Sequence, residues 1–200
     1  MIGNYLKNET FNFYTGFINC INWLCPNCLI VGAAAGATAG GAVVYDNRSM
    51  DTIWQDNHIS YHAQMRINTD DKLKHKTNIS VATFDHVVLL VGEAPTEELR
   101  TYAENLVRQV PNIKRICNQI TIGEPILTST HSSDTWITTK VKSDMLTQKG
   151  LKSTQMKVVT ENGIVYLMGL TTPSQGRLAA ETARKVAGVK KVVEVFEYVH

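Results

Sequence analysis

Ile137, Val141 and Met145 recur at i, i+4 and i+8 behind Asp134. That spacing predicts an amphipathic helix over about 136–147, with Asp134 as its N-cap. A short strand over 157–160 follows, and then Glu161-Asn162-Gly163. Asn-Gly supplies the positive φ angles of a tight hairpin, so residues 164–168 are expected to return as a second strand, closed by Gly169. Leu178, Ala179, Thr182, Ala183 and Val186 share one side of a second helix over about 173–186. Ala187-Gly188 ends that helix, and residues 189–199 form a last strand. The order is αββαβ, three strands with two helices on one face or bracketing the sheet.

The same pattern occurs earlier in the chain. Val88-Leu89-Leu90-Val91-Gly92 returns as Val165-Tyr166-Leu167-Met168-Gly169, and Ile79–Thr83 aligns with Met156–Thr160 at the same separation of 77. Downstream, with one residue lost, Tyr102–Val110 aligns with Leu178–Val186, and Ile113–Cys117 with Val189–Val193. The helix face Ile59, Ala63 and Ile67 matches Ile137, Val141 and Met145. A unit of roughly 70 residues is too long for most solenoid repeats. The chain is therefore expected to be α+β, with two tandem αββαβ domains, each a three-stranded mixed sheet with two helices. The bounds are 52–122 and 134–200, with a linker over 123–133 that contains Gly123, Pro125 and a Ser/Thr cluster. Each copy is marginal in size alone, so docking between copies would help both.

Ahead of the repeats, residues 11–31 are rich in Phe, Ile, Leu and Trp but interrupted by Asn19, Asn22 and Asn27, with Lys7 before them. A charged start followed by an apolar stretch has the form of an export signal, and residues 1–28 are assigned as a signal or anchor segment. Residues 29–51 form an Ala/Gly-rich tether. Gly32, Gly36 and Gly40 recur every four residues, which would suit close helix approach in a membrane. A flexible Gly/Ala tether is the preferred reading, and a membrane span over the whole apolar region, which the asparagines and Pro26 argue against, is a third.

Composition narrows the chemistry. Hydrophobic residues are 44% and charged residues 19%, an ordinary globular balance, and the formal charge of +2 signals no general affinity for polyanions. The charge is uneven. Counting Lys and Arg against Asp and Glu, residues 52–122 carry 8 and 8, whereas residues 134–200 carry 10 and 6. Cys25-Pro26-Asn27-Cys28 lacks the second ligand pair of a zinc site and the following βα unit of a thioredoxin site. Cys117 lies in an apolar run where copy two has Val193, which implies a small buried hydrophobe.

His58 and His62 stand at i, i+4 with no Glu between them, unlike a zinc-protease helix. They read as solvated surface histidines, since nothing in the sequence fixes His75 or Asp56 beside them, and no metal site is expected. His86 takes the turn position that Gly163 holds in copy two. Ser132-Ser133-Asp134 is a linker and cap, not a nucleophile with its base. The glycines of 32–41 lack the Lys-Ser/Thr of a phosphate loop, and no dense basic-aromatic surface suggests nucleic acid. The chain is expected to be no enzyme, to need no cofactor, and to bind neither nucleic acid nor a small-molecule substrate.

The strand-closing Gly92 and Gly169, the apolar strands before them and the terminal segments 110–120 and 186–196 resemble the BON domain of bacterial envelope proteins. The likeness covers about 140 of 200 residues. Asp134–Val141, Thr160–Gly163 and Leu167–Leu170 look like the second domain of dual-BON outer-membrane lipoproteins. In such proteins a lipidated cysteine precedes an Ala/Gly tether and two BON domains, and the first helix of the second domain is implicated in binding anionic phospholipid. The resemblance thus implies lipidation at Cys28, where the tether begins. Cys25-Pro26-Asn27 departs from the Leu and small residues of a lipobox. Without a lipid, the apolar segment itself would be the anchor.

Projected at about 100° per residue, Ile137, Val141 and Met145 lie on one stripe, with Trp136 outside it and Leu146 on the far side. Copy one has Ile59 or His58 opposite Trp136, depending on a one-residue gap, and Asn68 opposite Leu146. An indole beside a cation suits a membrane interface. The expected lipid-binding residues are Trp136, Lys140, Lys142 and Leu146. Val141 joins them through the resemblance, although the projection puts it in the core; Lys149 and Lys152 are near in sequence. The function implied is a non-catalytic lipoprotein on the periplasmic side of the outer membrane, binding anionic phospholipid through its second domain and supporting envelope integrity. The alternative is a periplasmic protein-interaction module that docks to an envelope assembly machine or a peptidoglycan-associated partner.

Overall fold

The computed structural model describes residues 48–125 and 131–199. Helix α1 (Met50–Thr69) opens the first repeat, followed by β1 (Asn78–Phe84), β2 (Val87–Ala94), α2 (Glu97–Val107) and β3 (Arg115–Ile122). The second repeat has α3 (His131–Thr147), β4 (Met156–Glu161), β5 (Ile164–Thr171), α4 (Pro173–Arg184) and β6 (Lys191–Tyr198), with a short 3-10 turn at Ser153–Gln155. Each repeat forms its own three-stranded sheet. The central strand pairs antiparallel with the strand before it, Ile79 facing Gly92 and Met156 facing Gly169, and parallel with the last strand. The αββαβ order and mixed sheets agree with the expected fold.

The helices begin where side-chain oxygens can accept from their first free N–H groups. Ser49 caps α1, Thr96 caps α2, and Thr172 caps α4 ahead of Pro173. The first repeat therefore starts before residue 52, and α3 takes residues 131–133 from the expected linker. Asp134 is not an N-cap. It sits inside the first turn of α3 with its carboxylate turned away from the helix end. One oxygen accepts from the Asn162 N–H and the other from the Gly163 N–H, both at 2.8 Å. A two-residue turn with positive φ at both positions leaves these two N–H groups without strand partners, and a buried carboxylate on the packed helix satisfies both. Asp56 does the same for Asp85 and His86, at 2.7 and 2.8 Å, and also pairs with Arg48.

The Ser60–Thr83 and Thr138–Thr160 hydrogen bonds are equivalent. They fix the helix alignment at a separation of 78. His58, not Ile59, is therefore the counterpart of Trp136, and His62 is the counterpart of Lys140.

In both repeats the helices cover one face of the sheet. Val88 and Leu90 pack on Ile59, Ala63, Ile67, Ala103 and Val107. Val165 and Leu167 pack on Ile137, Val141, Met145, Ala179 and Ala183. The other faces of the two sheets meet each other. Ala82, Phe84, Val87, Leu89 and Val91 join Tyr166, Met168 and Val195 in a third core. Successive strand residues point to opposite faces, so a run apolar at every position, like residues 87–91 of β2, is buried on both sides. The order of layers is helices, sheet, sheet, helices. Half-buried Cys117 packs against this seam, and burial raises its thiol pKa. Lys157 Nζ donates across the seam to the Thr83 carbonyl at 3.0 Å.

Candidate functional site

Helix α3 presents the face that the spacing of its apolar residues implies. Ile137, Val141 and Met145 are buried, whereas Trp136 is 54% exposed and Leu146 43% exposed. Ten residues separate the two exposed side chains, about 15 Å along the axis, with Thr139 and Ser143 on the surface between them. Their counterparts in α1 are His58 and Asn68, so the apolar pair belongs to the second repeat alone.

Two lysines flank the pair, Lys140 beyond Trp136 and Lys142 beyond Leu146. Lys140 Nζ pairs with Asp144 Oδ1 at 2.6 Å on the helix surface, a contact worth about 0.3–0.5 kcal/mol and easily exchanged for another anion. Lys142 lies among the exposed residues, yet surrounding protein atoms desolvate its ammonium and lower its pKa. Lys149 and Lys152 are exposed on the loop after α3. An open groove of about 400 Å³ runs beside the indole, lined by Ser132, Ser133, Trp136, Ile137, Ala187 and Gly188. Val141, being fully buried, could affect ligand binding only by holding the helix in place. Cys28 and the apolar N-terminal segment lie outside the described residues.

A second polar feature lies at the seam. Glu93 and Glu161 are both buried there. Glu93 accepts from the side-chain amides of Asn162 and, at 3.2 Å, of Asn78. Burial, and then the charges of Glu93 and Asp134, push the Glu161 carboxyl up to about 7. The same surroundings push the Tyr166 phenol up to about 12, with burial the largest cause. These residues border a cleft of about 290 Å³ between the sheets, with Thr121, Gly123, Glu124 and Ile164. Sequence reasoning missed this cluster. Its signal was an acidic residue near the end of a strand in each copy, Glu93 in β2 and Glu161 in β4. Among the described residues no group of three or more His, Cys, Asp or Glu side chains converges as a metal site, and no helix is long and apolar enough to cross a membrane.

Comparison with known proteins places both repeats in one family. The BON domain model matches residues 55–124 and 133–199. The chain is 40% identical to the 21 kDa hemolysin of Actinobacillus pleuropneumoniae over 154 residues, covering 77% of this chain and 79% of that protein. It is 33% identical to the outer membrane lipoprotein DolP of Haemophilus influenzae over 171 residues, covering 84% and 89%. Osmotically-inducible protein Y of Escherichia coli matches at 25% identity over 158 residues, 78% of each chain. With both of its αββαβ units matched, the chain belongs to the BON domain family.

Proposed function

We propose that this protein is a non-catalytic envelope lipoprotein that binds anionic phospholipid through α3 and supports outer-membrane integrity from the periplasmic side. The observation that carries the reading is the exposure of Trp136 and Leu146 on a helix whose remaining apolar residues are buried. The indole and the leucine enter the lipid interface, and Lys140 and Lys142 stand near the phosphates. The net positive charge of the second repeat favours an anionic surface. Each basic residue there adds roughly 1 kcal/mol, screened by salt, while apolar insertion leaves a salt-resistant remainder.

Residues 46–200 should bind anionic vesicles and not zwitterionic ones. Trp136→Glu or Leu146→Glu should each weaken that binding at least about tenfold, because burying one such side chain is worth about 1.5–3 kcal/mol. Neither change should lower the thermal midpoint, since neither side chain is in a core. Vesicle affinity at the parent's level in both variants would place the lipid site elsewhere. Failure of the parent to bind either vesicle would favour the protein-interaction reading.

The anchor of this proposal is an acyl group on Cys28. The chain's likeness to an outer membrane lipoprotein supports that assignment, as does the Ala/Gly tether after Cys28. A single acyl chain binds only reversibly, whereas several hold firmly. Mass spectrometry of the native protein should find a lipid-modified peptide that begins at Cys28. An unmodified peptide spanning residues 11–40 would exclude it.

A further inference from the structure

We propose that His58 and His62 on α1 form a chelating site for a late first-row transition ion, with Cu2+ the best fit. The two side chains stand one helical turn apart on the exposed face of α1, and their ring centroids are 4.1 Å apart. Side chains at i, i+4 are neighbours on a helix surface, and two imidazoles on one turn can offer a nitrogen each to one ion. Metal binding must usually order its ligands. Here much of that ordering is done already. The opposite face of α1 is locked in the core by Ile59, Ala63 and Ile67, and Ser49 caps its first turn.

The neighbouring side chains add to the arrangement. Trp54 stacks on His58 with centroids 5.8 Å apart and planes 19° apart, and Tyr61 meets His62 edge-on at 5.4 Å. These contacts set an aromatic ring against each imidazole while both imidazoles stay exposed. Arg66, the nearest cation along the helix, donates to Gln109 Oε1 at 3.0 Å and so leans away.

The donor set decides the metal. Imidazole suits zinc, copper and nickel. No third His, Cys, Asp or Glu among the described residues joins the pair, so water completes the coordination. A site with so few protein ligands holds best the ion at the top of the divalent affinity order, Cu2+. The second repeat supplies an internal comparison. Trp136 and Lys140 occupy the positions of His58 and His62, and neither an indole nor an ammonium ligates a metal.

The test is titration of the full chain with Cu2+ alone at pH 7.5, followed by tryptophan emission and electron paramagnetic resonance. The parent should bind one Cu2+ more than His58→Ala or His62→Ala, and that ion should quench Trp54. The Trp54→Phe variant should keep the ion and lose the quenching. Affinity at this site should fall at least tenfold in either His variant. Ni2+ and Zn2+ should bind it more weakly. If the double His variant binds the same number of Cu2+ ions as tightly as the parent, the proposal is wrong and bound copper lies elsewhere on the chain. Should a variant lose its fold, diethyl pyrocarbonate modification of the parent tests the same site without a substitution. Cu2+ should protect His58 and His62 from modification, and equal modification with and without Cu2+ would overturn the site.

Discussion

A single methyl group at position 92 is expected to destabilise the first domain by about 3–5 kcal/mol, the sum of a strained backbone and an overpacked strand pair. Gly92 has φ +114°, and a Cβ there would stand 1.9 Å from the carbonyl oxygen of Asn78 and 2.9 Å from its carbon. Both atoms are backbone of the paired strand, so no side chain can swing aside. Relief would require β1 to part from β2, whose register sets Ile79 opposite Gly92. Gly169 holds the same place in the second sheet, but its φ is not positive and its nearest clash would be 2.6 Å, to Gln155 O. Thermal unfolding of Gly92→Ala and Gly169→Ala beside the parent checks the difference. At about 2–4 °C per kcal/mol for a chain of this size, Gly92→Ala should lose roughly 10 °C and Gly169→Ala less. A parent-like midpoint for Gly92→Ala would mean that the strands separate more easily than their packing implies.

The second large effect concerns Glu161 and depends on pH. Its folded pKa of about 7 lies above the ordinary 4.5, because burial and then the charges of Glu93 and Asp134 disfavour the carboxylate. Below pH 4.5 the group is protonated in both states and contributes no difference. Between 4.5 and 7 the unfolded chain gives up its proton while the folded chain keeps it, so stability falls as pH rises. Above 7 the full penalty remains, on the order of 3 kcal/mol. Glu161→Gln keeps the shape and removes the ionisation. It should stabilise the protein by several degrees at pH 8 and by little at pH 4. Equal shifts at both pH values would show that the carboxylate is not strained.

Much of this architecture was legible from residue order alone. Helices, hairpins and the repeat follow from spacing, and the exposed pair on α3 follows from a projection of one helix. Pairings across distance were less legible. Asp134 has the sequence of a cap, and only the position of the β4–β5 turn beside α3 makes it a partner of Asn162 and Gly163. The seam had a signal of its own. Residues 87–91 are apolar without alternation, as a strand covered on both sides requires. What covers the second side is another sheet far along the chain, and no local pattern names it. The spacing of His58 and His62 was plain, but the stacked Trp54 and the closeness of the two rings needed side-chain positions.

Sheets joined back to back leave the two helical layers facing in opposite directions. With α3 lying on a bilayer, α1 looks straight away from it. Adjacent layers pack about 10 Å apart, so α1 is held about 30 Å above the surface on which α3 rests. One flat membrane therefore cannot engage both helices unless the seam opens. Under the proposed function the domain pair would act as a standoff, with α3 on the surface and α1 turned away from it, so that what α1 meets would be met without competing for lipid.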